Sequence, residues 1–142
     1  MTSRGSVAWP DLEKVARDVQ THAHAPYSGY RVGAALITES GRVFAGCNVE
    51  NASYGLSICA ERSAIVQMVA AGERAPLAIV VVTPGKTPGT PCGMCRQTLA
   101  EFAEDLPVRL LSSDDPAVSR EVTLAQLLPE AFRPEALGIQ RP

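Results

Sequence analysis

Two segments of the chain constrain the fold, because each begins a predicted helix with a cysteine. Residues 58–69 read ICAERSAIVQMV and residues 91–102 read PCGMCRQTLAEF, so Cys59, Cys92 and Cys95 all lie at or near a helix start. The positive end of a helix dipole favours thiolates at such positions. If the three thiols meet, the fold has to bring the two helix N-termini together at one edge of the molecule.

The hydrophobic pattern predicts a mixed α/β architecture. The predicted elements are, in chain order, helix 11–21, strands 31–38 and 43–49, helix 58–72, strand 77–83, helix 92–104, strand 107–113, a short edge strand within 114–123 and a short helix ended by Pro129. The run LAIVVVT at 77–83 is apolar throughout, which is typical of a central strand covered on both faces. A hairpin followed by alternating helices and strands predicts a three-layer α/β/α fold around a mixed sheet of about five strands.

Length and charge narrow the class of protein. The 142 residues predict a single domain over residues 1–142. A formal net charge of -2 disfavours a nucleic acid polymer as partner. The sequence has neither an apolar run long enough to span a membrane nor an apolar signal-peptide core, which predicts a cytoplasmic protein. In a reducing cytosol its four cysteines are more readily metal ligands, catalytic groups or buried thiols than disulfides.

The spacing of the cysteines leaves more than one kind of site open. Cys92 and Cys95 lie three residues apart, which suits two ligands of one zinc ion and also suits a redox dithiol. Cys59, at a second helix start, favours the metal. Cys47 lies in a predicted strand, where packing explains it, and we leave it out of the site; a closed, structural site with four cysteines remains the alternative. Both histidines follow the first predicted helix, where surface or cap roles are expected.

Glu61 lies two residues after Cys59 at the start of the same predicted helix. Two residues along a helix correspond to a rotation of about 200°. The carboxylate therefore need not bind the metal and can reach past it toward a metal-bound water. This is a position suited to a general base.

These segments closely resemble the cytidine deaminase family, in particular its small, homotetrameric branch with three cysteine ligands. The likeness rests on CAERSAI and PCGMCRQTLAEF, and it extends through PYSGYRVGAAL, GCNVENASYG and LLPEAFRPEAL, so it covers most of the chain. The zinc nucleobase deaminases share this metal and glutamate signature. The resemblance implies one zinc ion in each subunit, held by Cys59, Cys92 and Cys95, and a homotetramer with sites shared between subunits.

The reaction implied by the resemblance is the hydrolytic deamination of cytidine and deoxycytidine to uridine and deoxyuridine plus ammonia, in pyrimidine salvage. Zinc activates water, and Glu61 carries protons as both base and acid. Three thiolates leave zinc with a net negative charge, so a nearby cation is needed to draw charge off the metal. Arg62 and Arg96 are the candidates, and the family assigns the role to Arg62.

The resemblance also implies residues that bind the substrate. Asn48 and Glu50 would bind the ribose hydroxyls, and the main-chain amide of Ala60 would bind the base carbonyl. Tyr30 occupies the position of an aromatic residue that packs on the pyrimidine, where phenylalanine is usual in the family. Phe132 matches an aromatic residue that reaches the site of a neighbouring subunit.

Two other functions remain open from the sequence. One is a deaminase of another aminated nucleoside, such as a nucleoside antibiotic, because such an enzyme would share the same signature. The other is a non-catalytic zinc module with four cysteine ligands. Editing of a polynucleotide is disfavoured by the acidic balance and by the lack of basic and aromatic stretches that would follow a strand.

Overall fold

A computed structural model describes residues 6–141 of the chain. Its elements are, in chain order, α1 (Trp9–Gln20), β1 (Gly33–Thr38), β2 (Val43–Cys47), α2 (Ala60–Ala70), β3 (Pro76–Thr83), α3 (Gly93–Phe102), β4 (Pro107–Ser112), β5 (Ser119–Thr123) and the short α4 (Leu124–Leu127). Two 3₁₀ turns, Tyr54–Leu56 and Pro134–Leu137, complete the order. None of the described helices is long and apolar enough to cross a membrane.

The strands form one mixed sheet in the order β2-β1-β3-β4-β5. β1 is antiparallel to β2 and β3, β3 is parallel to β4, and β5 is antiparallel to β4 at the edge. The apolar strand β3 lies in the middle, and its side chains alternate between two apolar clusters. Ile79 and Val81 belong to one cluster, and Val80 and Val82 to the other. The predicted mixed sheet of five strands with a doubly covered centre is confirmed.

Helices cover both faces of this sheet. On one face Leu12 and Ala16 of α1 belong to the same apolar cluster as Val80 and Val82. On the other face Met68 of α2 and Leu99 of α3 belong to the second cluster. The predicted three-layer α/β/α arrangement is confirmed, and α2 and α3 share a layer, which is the condition for their N-termini to meet.

A glycine lets α2 approach the sheet closely. A Cβ at Gly46 of β2 would overlap the main-chain atoms of Ala60 and Ala64 in α2. Because only glycine lacks a Cβ, the first turns of α2 can rest directly on β2. This contact fixes the distance between the sheet and the N-terminus of α2, which carries Cys59 and Glu61.

The two cysteine-headed helices begin one residue later than the cysteines. Cys59 is the N-cap of α2, with φ −76° and ψ 156°, and Cys92 is the N-cap of α3, with φ −66° and ψ 167°. N-cap residues take extended rather than helical dihedral angles. Neither cysteine side chain caps its own helix, so both sulfur atoms are available for other partners. At the other end of α2, Gly72 has a φ of 86°, as a glycine that ends a helix does.

Candidate metal centre and active site

Three thiols meet where α2 and α3 begin. The Sγ atoms of Cys59 and Cys92 are 3.7 Å apart, those of Cys92 and Cys95 are 3.5 Å apart, and all three lie within 4.8 Å of one another. Tetrahedral zinc with Zn–S bonds of about 2.3 Å has S···S edges of about 3.8 Å. The cluster therefore fits zinc in both its donor atoms and its spacing.

Cys47 lies outside this cluster. It ends β2 and is half-buried, and the group of closely spaced metal-binding side chains found within residues 6–141 contains only the other three cysteines. The geometry therefore favours three protein ligands over the closed site with four. A site with three protein ligands keeps a fourth position for solvent or substrate, as catalytic zinc sites do.

The environment of the thiols favours the thiolate form of Cys59. Hydrogen bonding with the Cys95 thiol, and to a smaller extent with the Arg62 guanidinium, lowers the pKa of Cys59 to about 5. The same contact with Cys59, together with burial, raises the pKa of Cys95. A negative charge is thus held at the N-terminus of α2, where the helix dipole also favours it.

Of the two arginines expected near the metal, Arg62 is the one that reaches a thiol. Its Nη2 lies 3.7 Å from Cys59 Sγ and 3.5 Å from the carbonyl oxygen of Ser57. Arg96 instead donates to the carbonyl oxygen of Pro91 at 2.7 Å and to that of the last residue of α4 at 2.8 Å. Arg96 therefore braces the loop before α3, and Arg62 provides the positive charge beside sulfur.

Glu61 is a buried carboxyl group in the first turn of α2. Only 4% of its surface is exposed. Burial raises its pKa, and the nearby charge of Cys59 adds to the effect. A carboxyl group that takes up a proton readily while lying close to a metal site is equipped to act as both acid and base.

A cavity of about 250 Å³ lies in front of these groups. Its walls include most of the site residues expected from the sequence, namely Tyr30, Asn48, Glu50, Cys59, Ala60, Glu61 and Cys92. A larger depression, about 860 Å³, lies at the other end of β3 near Pro76, and its lining contains none of the site residues expected from the sequence. Chemistry rather than size therefore identifies the smaller cavity as the site.

Asn48 lies at the cavity with its side-chain amide bonded to main chain. Its Oδ1 accepts from the Val32 amide at 2.8 Å, and its Nδ2 donates to the Tyr30 carbonyl at 2.7 Å. The amide thus reproduces the hydrogen bonds of a neighbouring strand. It holds the segment that carries Tyr30 against the end of β2.

Glu50 is bonded in a similar way to the turn before Tyr30. Its Oε1 accepts from the main-chain amides of Tyr27 at 2.9 Å and Ser28 at 3.1 Å, and its Oε2 accepts from Ser28 Oγ at 2.5 Å. These bonds from Ser28 lower the pKa of Glu50. The carboxylate is therefore ionised and fixed in position beside the cavity.

The structure places the remaining expected residues as follows. Ala60 is buried as the first residue of α2, where a helix leaves main-chain amides without partners inside the helix. Tyr30 is half-exposed on the cavity wall, and a Cβ at Gly89 would lie 2.9 Å from its hydroxyl. Phe132 is exposed, is not part of the lining of this cavity, and is held through its carbonyl oxygen by Gln97 Nε2 at 2.7 Å. Its role at a neighbouring subunit stays a prediction.

Several cavity residues were not expected from the sequence. They are Val32, Ser57, Ile58, Val81, Thr83 and Thr90. Thr83 had a usable signal, because it ends the central strand β3, and ligands bind beyond the carboxyl ends of parallel strands in α/β folds. Val81 lies in the same strand, and Ile58 directly precedes Cys59. Val32, Ser57 and Thr90 lie on the wall because segments far apart in sequence meet there.

Comparison with known proteins gives a consistent result. Residues 11–108 match the family model described as the cytidine and deoxycytidylate deaminase zinc-binding region. The chain is 41% identical over 132 residues to the cytidine deaminase of Sporosarcina psychrophila, covering 90% of this chain and 96% of the relative. It is 45% identical over 130 residues to the cytidine deaminase of Halalkalibacterium halodurans, covering 89% and 96%. The crystal structure of cytidine deaminase from Burkholderia pseudomallei matches with a TM-score of 0.83 and 44% identity, covering 89% of this chain and 100% of that one.

Proposed function

The chain belongs to the cytidine and deoxycytidylate deaminase family, and we propose that it hydrolyses cytidine and deoxycytidine to uridine and deoxyuridine, with release of ammonia, in pyrimidine salvage. The observation that carries the proposal is a cluster of three thiols, two of which, Cys59 and Cys92, line one cavity together with the buried carboxyl group of Glu61. Two wall positions, Asn48 and Glu50, offer polar atoms suited to a sugar.

We propose that residues 1–142 form one catalytic domain that works in the cytoplasm as a homotetramer. The first point is supported by relatives that align over almost their whole length with about nine-tenths of this chain. All four cysteines are free, which suits a reducing compartment. Exposed Phe132 is available to complete the site of a neighbouring subunit.

In this proposal Cys59, Cys92 and Cys95 hold zinc, which their donor atoms and spacing fit. Zinc, when bound there, supplies the Lewis acidity that makes water a nucleophile at neutral pH. Arg62 donates toward the Cys59 sulfur and offsets part of the negative charge of three thiolates. Arg62 therefore keeps the centre electrophilic.

Glu61 moves the protons. Its carboxylate accepts a proton from the attacking water and delivers it to ring N3 of the cytosine, so that C4 can accept the new C–O bond. Glu61 then takes the remaining proton from the new C4 hydroxyl and transfers it to the 4-amino group, which leaves as ammonia as the C–N bond breaks and C4 becomes a carbonyl. The raised pKa of Glu61 suits this work, because the carboxyl group has to hold a proton between steps at neutral pH.

The walls orient the nucleoside. The main-chain N–H of Ala60 donates to the base carbonyl, and Tyr30 packs against the pyrimidine ring. Asn48 and Glu50 bind the ribose hydroxyls with the hydrogen-bonding capacity that their bonds to main chain leave free. Together these contacts hold C4 beside Glu61.

A substrate panel tests the proposed activity. Purified protein is incubated with cytidine, deoxycytidine, adenosine and an aminated nucleoside antibiotic, and the ultraviolet change on loss of the exocyclic amine is followed. We expect turnover of cytidine and deoxycytidine and none of adenosine. Turnover of the antibiotic alone would show that the chain serves another substrate.

X-ray absorption at the zinc edge separates the enzyme from a binding module. We expect three sulfur ligands and one lighter atom. Four sulfur ligands would mean that Cys47, the one remaining cysteine of the sequence, closes the site, and the catalytic proposal would then be wrong.

A further inference from the structure

We propose that Ser28 is a positioning residue for nucleoside binding, because its hydroxyl joins the Glu50 carboxylate to the main chain of Tyr30. The inference rests on the proposed function, in which Glu50 contacts the sugar and Tyr30 packs on the base. Ser28 itself contacts neither the sugar nor the base in this proposal. It fixes the positions of Glu50 and Tyr30 relative to each other.

The hydroxyl of Ser28 makes two bonds at once. Ser28 Oγ donates to Glu50 Oε2 at 2.5 Å and accepts from the Tyr30 amide at 3.0 Å. The second bond closes a serine turn over Gly29, whose φ is 70°. One oxygen atom thus fixes both the shape of the turn that leads to Tyr30 and the direction of the Glu50 side chain.

The carboxylate of Glu50 keeps room for a ligand. The amides of Tyr27 and Ser28 donate to Oε1, and the Ser28 hydroxyl donates to Oε2. A carboxylate has about four acceptor sites, so three are used and one on Oε2 remains for a sugar hydroxyl. Because the Ser28 hydroxyl occupies one acceptor site of Oε2, it determines the direction in which the remaining site points.

Ser28 acts through Glu50 rather than by contact with the cavity. The described residues that line the cavity in front of Glu61 include Glu50 but not Ser28. Ser28 instead lines an adjoining depression of about 320 Å³ with Tyr27 and Tyr54, and Glu50 borders both spaces. The hydroxyl therefore contacts the Glu50 carboxylate on the side away from the cavity and affects substrate binding only through it.

The loss of this hydroxyl has a predictable kinetic signature. Hydrogen bonds to charged groups are stronger than neutral ones, and without this one Glu50 gains rotational freedom that binding must remove. Because the sugar is held equally in the ground state and the transition state, KM rises while kcat stays nearly constant. We expect Ser28→Ala to raise the KM for cytidine roughly 10- to 100-fold, with kcat changed less than about threefold.

Two comparisons separate this role from a general loss of stability. Ser28→Thr keeps a hydroxyl, so its KM stays close to the wild-type value. Ser28→Val has the shape of threonine without the hydroxyl, so its KM is raised as in Ser28→Ala. If Ser28→Ala folds poorly, the comparison of these two variants tests the role of the hydroxyl. Ser40→Ala is the matched control, because Ser40 Oγ donates to Glu73 Oε1 at the same 2.5 Å, and neither residue lines the cavity. It leaves KM unchanged.

The Glu50→Gln background tests whether the effect passes through the carboxylate. There, adding Ser28→Ala changes KM less than about threefold, because coupled residues are not additive. A wild-type KM in Ser28→Ala, or the full effect in the Glu50→Gln background, overturns the inference while the proposed function stands. A wild-type protein that does not deaminate cytidine overturns both.

Discussion

Glu61 has no unusual feature in the sequence, but its position in the fold makes it a candidate catalytic residue. An acidic residue in the first turn of a helix is ordinary, because it complements the helix dipole. Its burial to 4% exposure beside the thiols is not ordinary, because burial raises the pKa of a carboxyl group and none of the ion pairs found within residues 6–141 includes Glu61. The position of the side chain, more than its type, makes it the candidate acid and base.

The first prediction concerns this residue. Glu61→Gln keeps the size of the side chain but cannot accept a proton, so kcat for cytidine falls by at least roughly 10²- to 10⁴-fold. The fold and the zinc content stay at the wild-type level, which circular dichroism and metal analysis by mass spectrometry check. Near-normal turnover in this variant would assign the proton transfer to another group.

The second prediction concerns Tyr30, which in the proposed function packs against the pyrimidine ring. Packing on the base uses the face of the ring, which Tyr30→Phe keeps, so kcat/KM for cytidine changes less than about threefold. Tyr30→Ala removes the face and lowers kcat/KM by about tenfold or more, mainly through KM. A large loss in Tyr30→Phe would instead show that the hydroxyl, which lies against Gly89, takes part in binding.

At the scale of elements, the N-termini of α2 and α3 carry the site. Cys59 and Cys92 are N-caps with extended backbones, while Cys95 lies inside α3 and is buried. Two positive helix ends therefore face one group of thiols, and each stabilises the charge there. The site depends on how closely each helix rests on the sheet.

The third prediction tests this dependence. Gly46→Ala places a Cβ into the main chain of α2 and moves the helix away from β2, so the free energy of unfolding falls by about 1 to 3 kcal/mol. Activity falls as well, because Cys59 and Glu61 move with α2. Urea unfolding and cytidine turnover measure the two effects.

Gly55→Ala is the control for this substitution. A Cβ at Gly55 meets nothing within 4 Å, so stability changes little. If Gly46→Ala were as stable and active as Gly55→Ala, the close approach of β2 and α2 would not be what positions the site.

At the scale of the whole molecule, a metal at the thiols would tie together two helices of one layer. The fourth prediction is that removing zinc with a chelator lowers the melting temperature by several degrees and abolishes turnover, because binding energy in the folded state adds to stability. Returning zinc restores both, and differential scanning fluorimetry with and without the metal measures the change. An unchanged melting temperature would mean that the two helix ends hold together without the ion.

The fifth prediction concerns pH and lies away from the site. Ser40 and Thr38 donate to Glu73, and their hydrogen bonds, with Arg42 nearby, lower its pKa. A lowered folded pKa means that the ionised carboxylate stabilises the fold above its unfolded pKa of about 4.3, and that this stability is lost as the pH falls through the folded value. The wild type is therefore more stable than Glu73→Gln at pH 7, and the two converge in acid. A difference in melting temperature that stays constant from pH 7 to pH 3 would contradict this origin.

The sequence was sufficient for the sheet, the layers and the grouping of three cysteines, since each depends on local pattern. The apolar run of β3, the hairpin of β1 and β2 and the cysteines at two helix starts are all visible over a few residues. The predicted helix starts were less accurate: α2 begins two residues after the predicted position 58, and α3 begins one residue after position 92. Cys59 and Cys92 are N-caps, which have extended backbone dihedral angles although they mark a helix start in sequence.

Only the tertiary structure decided which polar groups meet. It brought Arg62 rather than Arg96 to the thiols, as the resemblance implied, and placed Cys47 outside the cluster, as packing led us to expect. The hydrogen bond from Ser28 to Glu50 was not expected from the sequence. These contacts join residues separated by loops, and their free energies depend on distances of a few tenths of an ångström that no local pattern encodes. Residue types determined which chemistry was available to this chain, and the packing of β2, α2 and α3 determined which side chains could take part in it.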